Sequence, residues 1–157
     1  MAISFFYIVF VILIIAFVCV RKRMHLFEIL FLWMVLMCLE QNFVTIVNLN
    51  LKMVTIPEKH DIYWVMAAGR LLFNPLLMIW YVELCFTKHR TFLFRGIFAL
   101  LLIFLLVARE LASEHFHLLY FTGWKPWWSA VSYACTISIA VLLYKWFHRL
   151  IGKEGAC

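Results

Sequence analysis

Three strongly polar side chains, Glu40, Gln41 and Asn42, interrupt an otherwise apolar stretch of the sequence. A carboxylate and two amides can bind a cation, exchange a proton or hydrogen-bond a polar ligand. A helix that ended before Glu40 would cover only residues 24–38, fewer than the roughly 20 residues needed to cross a bilayer. The helix is therefore expected to reach Val47, which places Glu40 roughly 10 Å inside the membrane at about 1.5 Å per residue.

A cationic side chain lies at a matching depth in the next apolar segment. Arg70 is roughly 12 Å inside the end of that segment at Ile62, again at about 1.5 Å per residue. Because the two helices run antiparallel, Glu40 and Arg70 are expected at nearly the same level, with Asn74 one turn deeper on the same face. Charges inside a membrane are costly and usually paired, so the sequence predicts a Glu40–Arg70 ion pair.

Two interpretations of this intramembrane cluster remain open. In one, the ion pair is structural, and Gln41, Asn42 and Asn74 form hydrogen bonds between helices. In the other, the cluster lines a cavity that opens outwards and binds a ligand or carries protons, since ionisable groups within a membrane are candidate functional sites. A misplaced helix boundary is a third explanation.

A second polar group lies in two connections, residues 48–61 and 113–126. Histidines and carboxylates are common ligands of divalent metals, which makes this face a candidate metal site. The pattern matches no zinc signature such as HExxH, so solvated interfacial side chains are the alternative, and no other cofactor is predicted. The candidate ligands are His60, Asp61, Glu114, His115 and His117.

The last apolar segment carries small hydroxyl side chains at helical spacing. Ser129, Ser132 and Thr136 lie along one stripe of the predicted helix. Small and hydroxyl residues allow helices to approach closely within a membrane. The stripe is therefore interpreted as a packing face, inside the bundle or against a partner subunit.

The elements that position these side chains are indicated by composition and spacing. The chain has 157 residues, of which 67% are hydrophobic and 14% charged, whereas a soluble domain is roughly half apolar and about a quarter charged. The sequence predicts an all-α integral membrane protein, a single membrane domain of five transmembrane helices, with a short strand or amphipathic segment within 47–56. The predicted helices span residues 2–20, 25–47, 62–84, 91–112 and 127–146.

The distribution of Lys and Arg predicts the orientation. Basic residues are concentrated on one side of the predicted membrane, and the richer side is normally cytoplasmic. The N-terminus is therefore expected outside and the C-terminus in the cytoplasm of a multi-pass protein of the cell membrane, with the first segment retained as an anchor. The richer group is Arg21, Lys22, Arg23, Lys88, Arg90, Arg95, Lys145, Arg149 and Lys153; the poorer is Lys52, Lys59, Arg109 and Lys125.

Function is constrained mainly by elimination. The net charge of +6 comes from short basic clusters between apolar runs, which argues against nucleic-acid binding. No GxSxG, P-loop, HExxH or CxxC pattern indicates catalysis or redox chemistry. The leading hypothesis is a non-enzymatic accessory, sensory or assembly subunit that contacts the lipid bilayer and another membrane protein or a second copy of itself. The alternatives are a transporter or channel component for a small solute or ion through Glu40, Arg70 and Asn74, and a membrane enzyme or outer-face metal site.

Overall fold

The computed structural model describes residues 2–19, 24–55, 57, 60–87 and 91–154. These residues form five helices and two short strands. The basic clusters at 21–23 and 88–90, which carry much of the predicted orientation, lie outside the described residues. The helices are α1 (Ala2–Cys19), α2 (Leu26–Thr45, continued by a π-helical turn at Ile46–Asn50), α3 (60–87), α4 (Phe92–His115) and α5 (Pro126–Glu154).

Four of the helices are long and apolar enough to cross a membrane. They are the stretches Leu26–Thr45, Ile62–Phe86, Phe92–His115 and Pro126–Ile151, while α1 contributes a shorter apolar stretch, Phe6–Cys19. The helical membrane bundle predicted from the sequence agrees with this architecture. The number of spans and their orientation remain predictions.

Large apolar side chains cover the outside of the bundle. On α4, Phe92 is 91% exposed, Leu93 72% and Phe104 71%. Contiguous apolar surface of this kind is rare on a soluble monomer. In lipid it carries no penalty, and the helices satisfy their own backbone groups. The exposed surface therefore independently indicates a membrane protein.

The third helix changes its hydrogen-bonding pattern twice. α-Helical segments at His60–Ala68 and Asn74–Val82 alternate with π-helical turns at Gly69–Phe73 and Glu83–Thr87. Pro75, in the first turn of the second α-helical segment, has no N–H to donate to the carbonyl of Leu71, four residues earlier. The indole Nε1 of Trp33 donates to that carbonyl at 3.1 Å, so α2 satisfies the group that proline leaves free.

Two short strands close one end of the bundle. β1 (Val54–Thr55) pairs antiparallel with β2 (Tyr120–Phe121), with Val54 opposite Phe121, and the backbone N–H of Thr122 extends the ladder to the carbonyl of Met53 at 2.9 Å. The short strand expected within 47–56 is therefore confirmed. We call this end, where α2 and α4 terminate and α3 and α5 begin, the sheet end.

The opposite end of the bundle contains a helix cap tied to α5. Glu28 accepts a hydrogen bond from the backbone N–H of His25 at 2.8 Å, completing a capping box at the start of α2. Its other oxygen lies 2.6 Å from Nδ1 of His148. The described partner of Glu28 outside its own helix therefore comes from α5.

Between the two ends the bundle has a tightly packed apolar core. Leu36, Met78 and Leu106 are each 0% exposed and belong to one cluster with Ile137 and Ala140. These residues come from α2, α3, α4 and α5, so all four helices meet at this level. We call the layer formed by Leu36, Met78 and Leu106 the apolar floor, because the polar residues described below lie between it and the sheet end.

Candidate functional site

A cavity of about 60 Å³ lies between α2, α3, α4 and α5 on the sheet-end side of this floor. One water requires roughly 10–15 Å³ of such space, so the cavity has room for several waters or one small molecule. Val54 of β1 and Phe121 of β2 contribute to its lining beside the polar side chains. The polar lining consists of Glu40, Arg70, Asn74, Arg109, Glu110, Trp124, Ser129, Ser132, Tyr133 and Thr136.

Glu40 is buried beside the cavity, and its described hydrogen-bond partner is Asn74. The side chains are 7% and 1% exposed, and Nδ2 of Asn74 donates to Oε2 of Glu40 at 3.1 Å. Arg70 lines the same cavity, but within the described part of the chain it forms no direct ion pair with Glu40. The expected pairing assumed α-helical spacing, and the wider π turn at Gly69–Phe73 replaces that spacing.

Gln41 and Asn42 do not join Glu40 at the cavity. Both side chains are exposed, and Nδ2 of Asn42 donates to the carbonyl of Cys38 on its own helix at 2.8 Å. Consecutive helical residues point in different directions. The polar run therefore divides: Glu40 faces the interior, whereas the two amides lie on the outer surface of α2.

Arg109 of α4, one of the basic residues on the poorer side of the predicted membrane, lines the cavity together with its neighbour Glu110. Tyr133 of α5, which is 5% exposed, donates its hydroxyl hydrogen to Oε1 of Glu110. Because α4 extends to His115, Arg109 lies roughly 9 Å inside the helix end at about 1.5 Å per residue. The depth calculation applied to Glu40 would have found this residue if the helix end had been placed correctly.

The guanidinium of Arg109 occupies space that a missing side chain provides. A Cβ atom at Gly69 would collide with Nη1 of Arg109, and it would lie 3.2 Å from the guanidinium carbon and 3.4 Å from the ring of Phe10. The guanidinium carbon is also 5.6 Å from the ring centre of Phe73, a cation–π distance. Gly69 therefore leaves space for the guanidinium of Arg109 against α3.

The predicted packing stripe on α5 lies inside the bundle and lines the cavity. Ser129 is 2% exposed and accepts a hydrogen bond from the indole Nε1 of Trp124 at 2.7 Å. The hydroxyls of Ser132 and Thr136 donate to carbonyls one turn earlier on α5, each at 2.9 Å. The stripe adds neutral hydrogen-bonding groups to a wall that also carries charges.

The candidate metal ligands do not converge in the described part of the chain. His60, His115 and His117 have exposed side chains, and no group of three His, Cys, Asp or Glu side chains among the described residues could hold a metal ion. Glu114 lies in the last turn of α4, and the side chain of Asp61 is outside the described part. The cavity is therefore the candidate site with geometric support.

Two carboxylates and two guanidiniums line the cavity, but their hydrogen bonds are unequally satisfied. Glu40 and Glu110 each accept from a neutral donor, Asn74 and Tyr133 respectively. Two residues of the lining each contain a buried polar atom, Oδ1 of Asn74 and Nε of Arg109, that has no hydrogen-bond partner among the described residues. This arrangement can bind a small polar molecule that supplies the missing partners.

Comparison of the chain with known protein families, with characterised proteins and with solved structures found no significant match.

Proposed function

We propose that this chain is a non-enzymatic membrane protein that binds a small polar ligand in the cavity and acts as a sensory or accessory subunit. The observation that supports the proposal is a cavity large enough for a small molecule that is lined by four charged side chains and by two residues, Asn74 and Arg109, each with a buried unsatisfied polar atom. Buried polar groups are nearly always hydrogen-bonded. The unsatisfied polar groups destabilise the empty site. A ligand that forms hydrogen bonds with them removes this cost, and the difference contributes to the free energy of binding.

The apolar floor favours binding over transport. Leu36, Met78 and Leu106 close the bundle below the cavity and are each 0% exposed. Passage of an ion or polar solute across this layer would require the four helices to separate, because such a solute finds no hydrogen-bonding group there. A ligand that enters and leaves at the sheet end requires no such rearrangement.

Filling the cavity is expected to abolish ligand binding. Ser132→Phe places an aromatic ring in the cavity wall, whereas Ser138→Phe places the same ring on the exposed face of α5. The two serines are a matched pair, since each donates to a carbonyl of its own helix, at 2.9 Å and 2.8 Å. Native mass spectrometry of protein extracted from its own membrane should detect a bound small molecule in the wild type and in S138F, and none in S132F.

Two outcomes of this mass spectrometry experiment contradict ligand binding in the cavity. The first is a bound molecule that S132F retains at the wild-type level, because the molecule then lies elsewhere. The second is a wild-type protein that carries no bound molecule while S132F and S138F remain equally folded by circular dichroism.

The proposed orientation places the sheet end outside the cell membrane. In a cysteine-free background, Thr122→Cys at the sheet end is expected to react in intact cells with a membrane-impermeant maleimide. Arg149→Cys, near the other end of α5, should react only after permeabilisation. Both positions are exposed, so access of the reagent is governed by the membrane. The reverse pattern of labelling would overturn the orientation predicted from the basic residues.

A further inference from the structure

We propose that the ligand of this cavity carries an oxyanion, a carboxylate or phosphate group, which is held by Arg70 and Arg109. The inference rests on the proposed function, ligand binding in the cavity, and deepens it by naming the chemical class. The two arginines come from different helices, α3 and α4, and both line the same cavity. Both side chains therefore border the space in which one bound group would lie.

The two carboxylates of the site each have a described hydrogen-bond donor, whereas the two guanidiniums have no described acceptor. Glu40 accepts from Asn74 and Glu110 accepts from Tyr133, so both carboxylates have neutral hydrogen-bond donors. Neither guanidinium forms a hydrogen bond or ion pair through its own N–H groups within the described residues. A ligand that complements the two guanidiniums supplies acceptor oxygens, and a donor on the same ligand would also satisfy Oδ1 of Asn74.

The identity of the two cations strengthens this assignment. A guanidinium is a planar fork of N–H donors whose geometry matches the two oxygens of a carboxylate or phosphate. A charged arginine within a membrane is costly unless it is paired or hydrated, so a bound anion would relieve two such groups together. Glu40 and Glu110 also line the cavity, so like charges oppose an anion and a cation equally. An anion is favoured because each carboxylate already accepts a hydrogen bond, whereas neither guanidinium donates one within the described residues.

Two sources can supply the same chemistry. The oxyanion belongs either to a small free molecule that enters from the aqueous phase at the sheet end or to an anionic lipid headgroup. In both cases the charged group binds Arg70 and Arg109. Experiments on full-length protein in nanodiscs of defined lipid composition separate the sources.

The first arm uses nanodiscs of phosphatidylcholine, to which acetate and inorganic phosphate are added as anionic probes. Neutral acetamide, which is nearly isosteric with acetate, and cationic methylammonium are the controls. Binding is followed by NMR line broadening of isotopically labelled probes. The second arm omits free anions and uses native mass spectrometry to compare nanodiscs with and without phosphatidylglycerol. Wild type is compared with Arg70→Gln, Arg109→Gln and Arg70→Lys, and Arg149→Gln, an exposed cation on α5, is the matched control.

We expect saturable binding of acetate, phosphate or phosphatidylglycerol, and weaker binding of acetamide and methylammonium. Each glutamine variant should lower the affinity for the anion by about tenfold or more, the usual effect of losing a charge-assisted hydrogen bond. Arg149→Gln should bind like the wild type. Arg70→Lys keeps the charge without the planar fork, so it should recover part of the lost affinity, which separates a direct contact from a folding defect.

Arginine-dependent binding in the first arm identifies a small free anion as the source of the oxyanion. Arginine-dependent binding in the second arm identifies an anionic lipid headgroup. The oxyanion assignment is overturned if acetamide or methylammonium binds as well as the anions, or if R70Q and R109Q bind anions like the wild type. Either result leaves ligand binding itself standing when Ser132→Phe still abolishes the signal. If no probe in either arm gives a signal that S132F abolishes, the oxyanion assignment fails. The proposed function fails as well only if the wild-type protein extracted from its own membrane also carries no bound molecule.

Discussion

Replacing Asn74 by leucine is expected to lower the free energy of unfolding by about 3 kcal/mol, one of the two largest effects we predict. The amide is 1% exposed and donates to Glu40, whose side chain is 7% exposed. Without this donor, a buried carboxylate loses its described hydrogen-bond partner, which costs about 1–3 kcal/mol and more when the group left behind is charged. Equilibrium unfolding in mixed micelles measures the change.

A double-mutant cycle separates this pairing from simple loss of packing. When Glu40 and Asn74 are both replaced by leucine, no unsatisfied polar group remains at the pair, and replacing both partners by apolar groups of similar shape is often nearly neutral. The double variant should therefore be markedly more stable than Asn74→Leu alone. Gln41→Leu, at the exposed neighbour of Glu40, is the control and should change stability by less than about 0.5 kcal/mol. Strictly additive losses would show that the two side chains do not stabilise each other.

The cycle also separates the two interpretations of the intramembrane cluster. If the cluster is only structural, the double leucine variant recovers stability and loses no other measurable property. If it contributes to ligand binding, the same variant recovers stability but binds acetate with an altered affinity, because a carboxylate and an amide have been removed from the cavity wall. Stability and binding therefore have to be measured on the same preparations.

Helix length and depth predicted much of this site from the sequence. A bilayer requires roughly 20 residues per helix, and this alone placed Glu40 inside α2 and at the level of the polar residues of α3. The partner could not be predicted as reliably, because a π turn at Gly69–Phe73 shifts the faces of α3 and no composition signal marks that turn. The described hydrogen bond consequently goes to Asn74.

Arg109 illustrates a different limit. Its distance from the membrane surface depends on where α4 ends, and the sequence placed that end at residue 112, whereas the helix reaches His115. There the chain turns through His117, whose φ of 55° is left-handed, and continues into β2, which pairs with β1. Pairing between strands that are distant in sequence is a tertiary effect, and local periodicity does not report it.

The role of Gly69 was also only partly visible in sequence. A small residue in a membrane helix predicts close approach of a neighbouring backbone. The group that approaches Gly69 most closely is instead the guanidinium of Arg109, with the ring of Phe10 from α1 behind it. Which neighbour uses the space depends on the arrangement of three helices, and this makes Gly69 informative to substitute.

Replacing Gly69 by leucine is expected to lower the free energy of unfolding by about 1–3 kcal/mol, the usual cost of overpacking, and to abolish acetate binding. The new side chain must displace the Arg109 guanidinium and press against the ring of Phe10, which lies 3.4 Å from the first added carbon. The smaller Gly69→Ala change should move the guanidinium while leaving stability nearly unchanged. The gain of about 1 kcal/mol in helix propensity then offsets the weakened cation–π contact with Phe73.

Gly96 provides the matched control for this series. It lies within α4, and a Cβ atom there would meet nothing within 4 Å. Gly96→Ala and Gly96→Leu should therefore only gain helix propensity, up to about 1 kcal/mol, and bind acetate like the wild type. Unfolding in mixed micelles and NMR titration with acetate measure both properties in all four variants. If Gly69→Leu binds acetate as tightly as Gly96→Leu does, the position of the Arg109 guanidinium does not govern the site, and the contact between Gly69 and Arg109 is only packing.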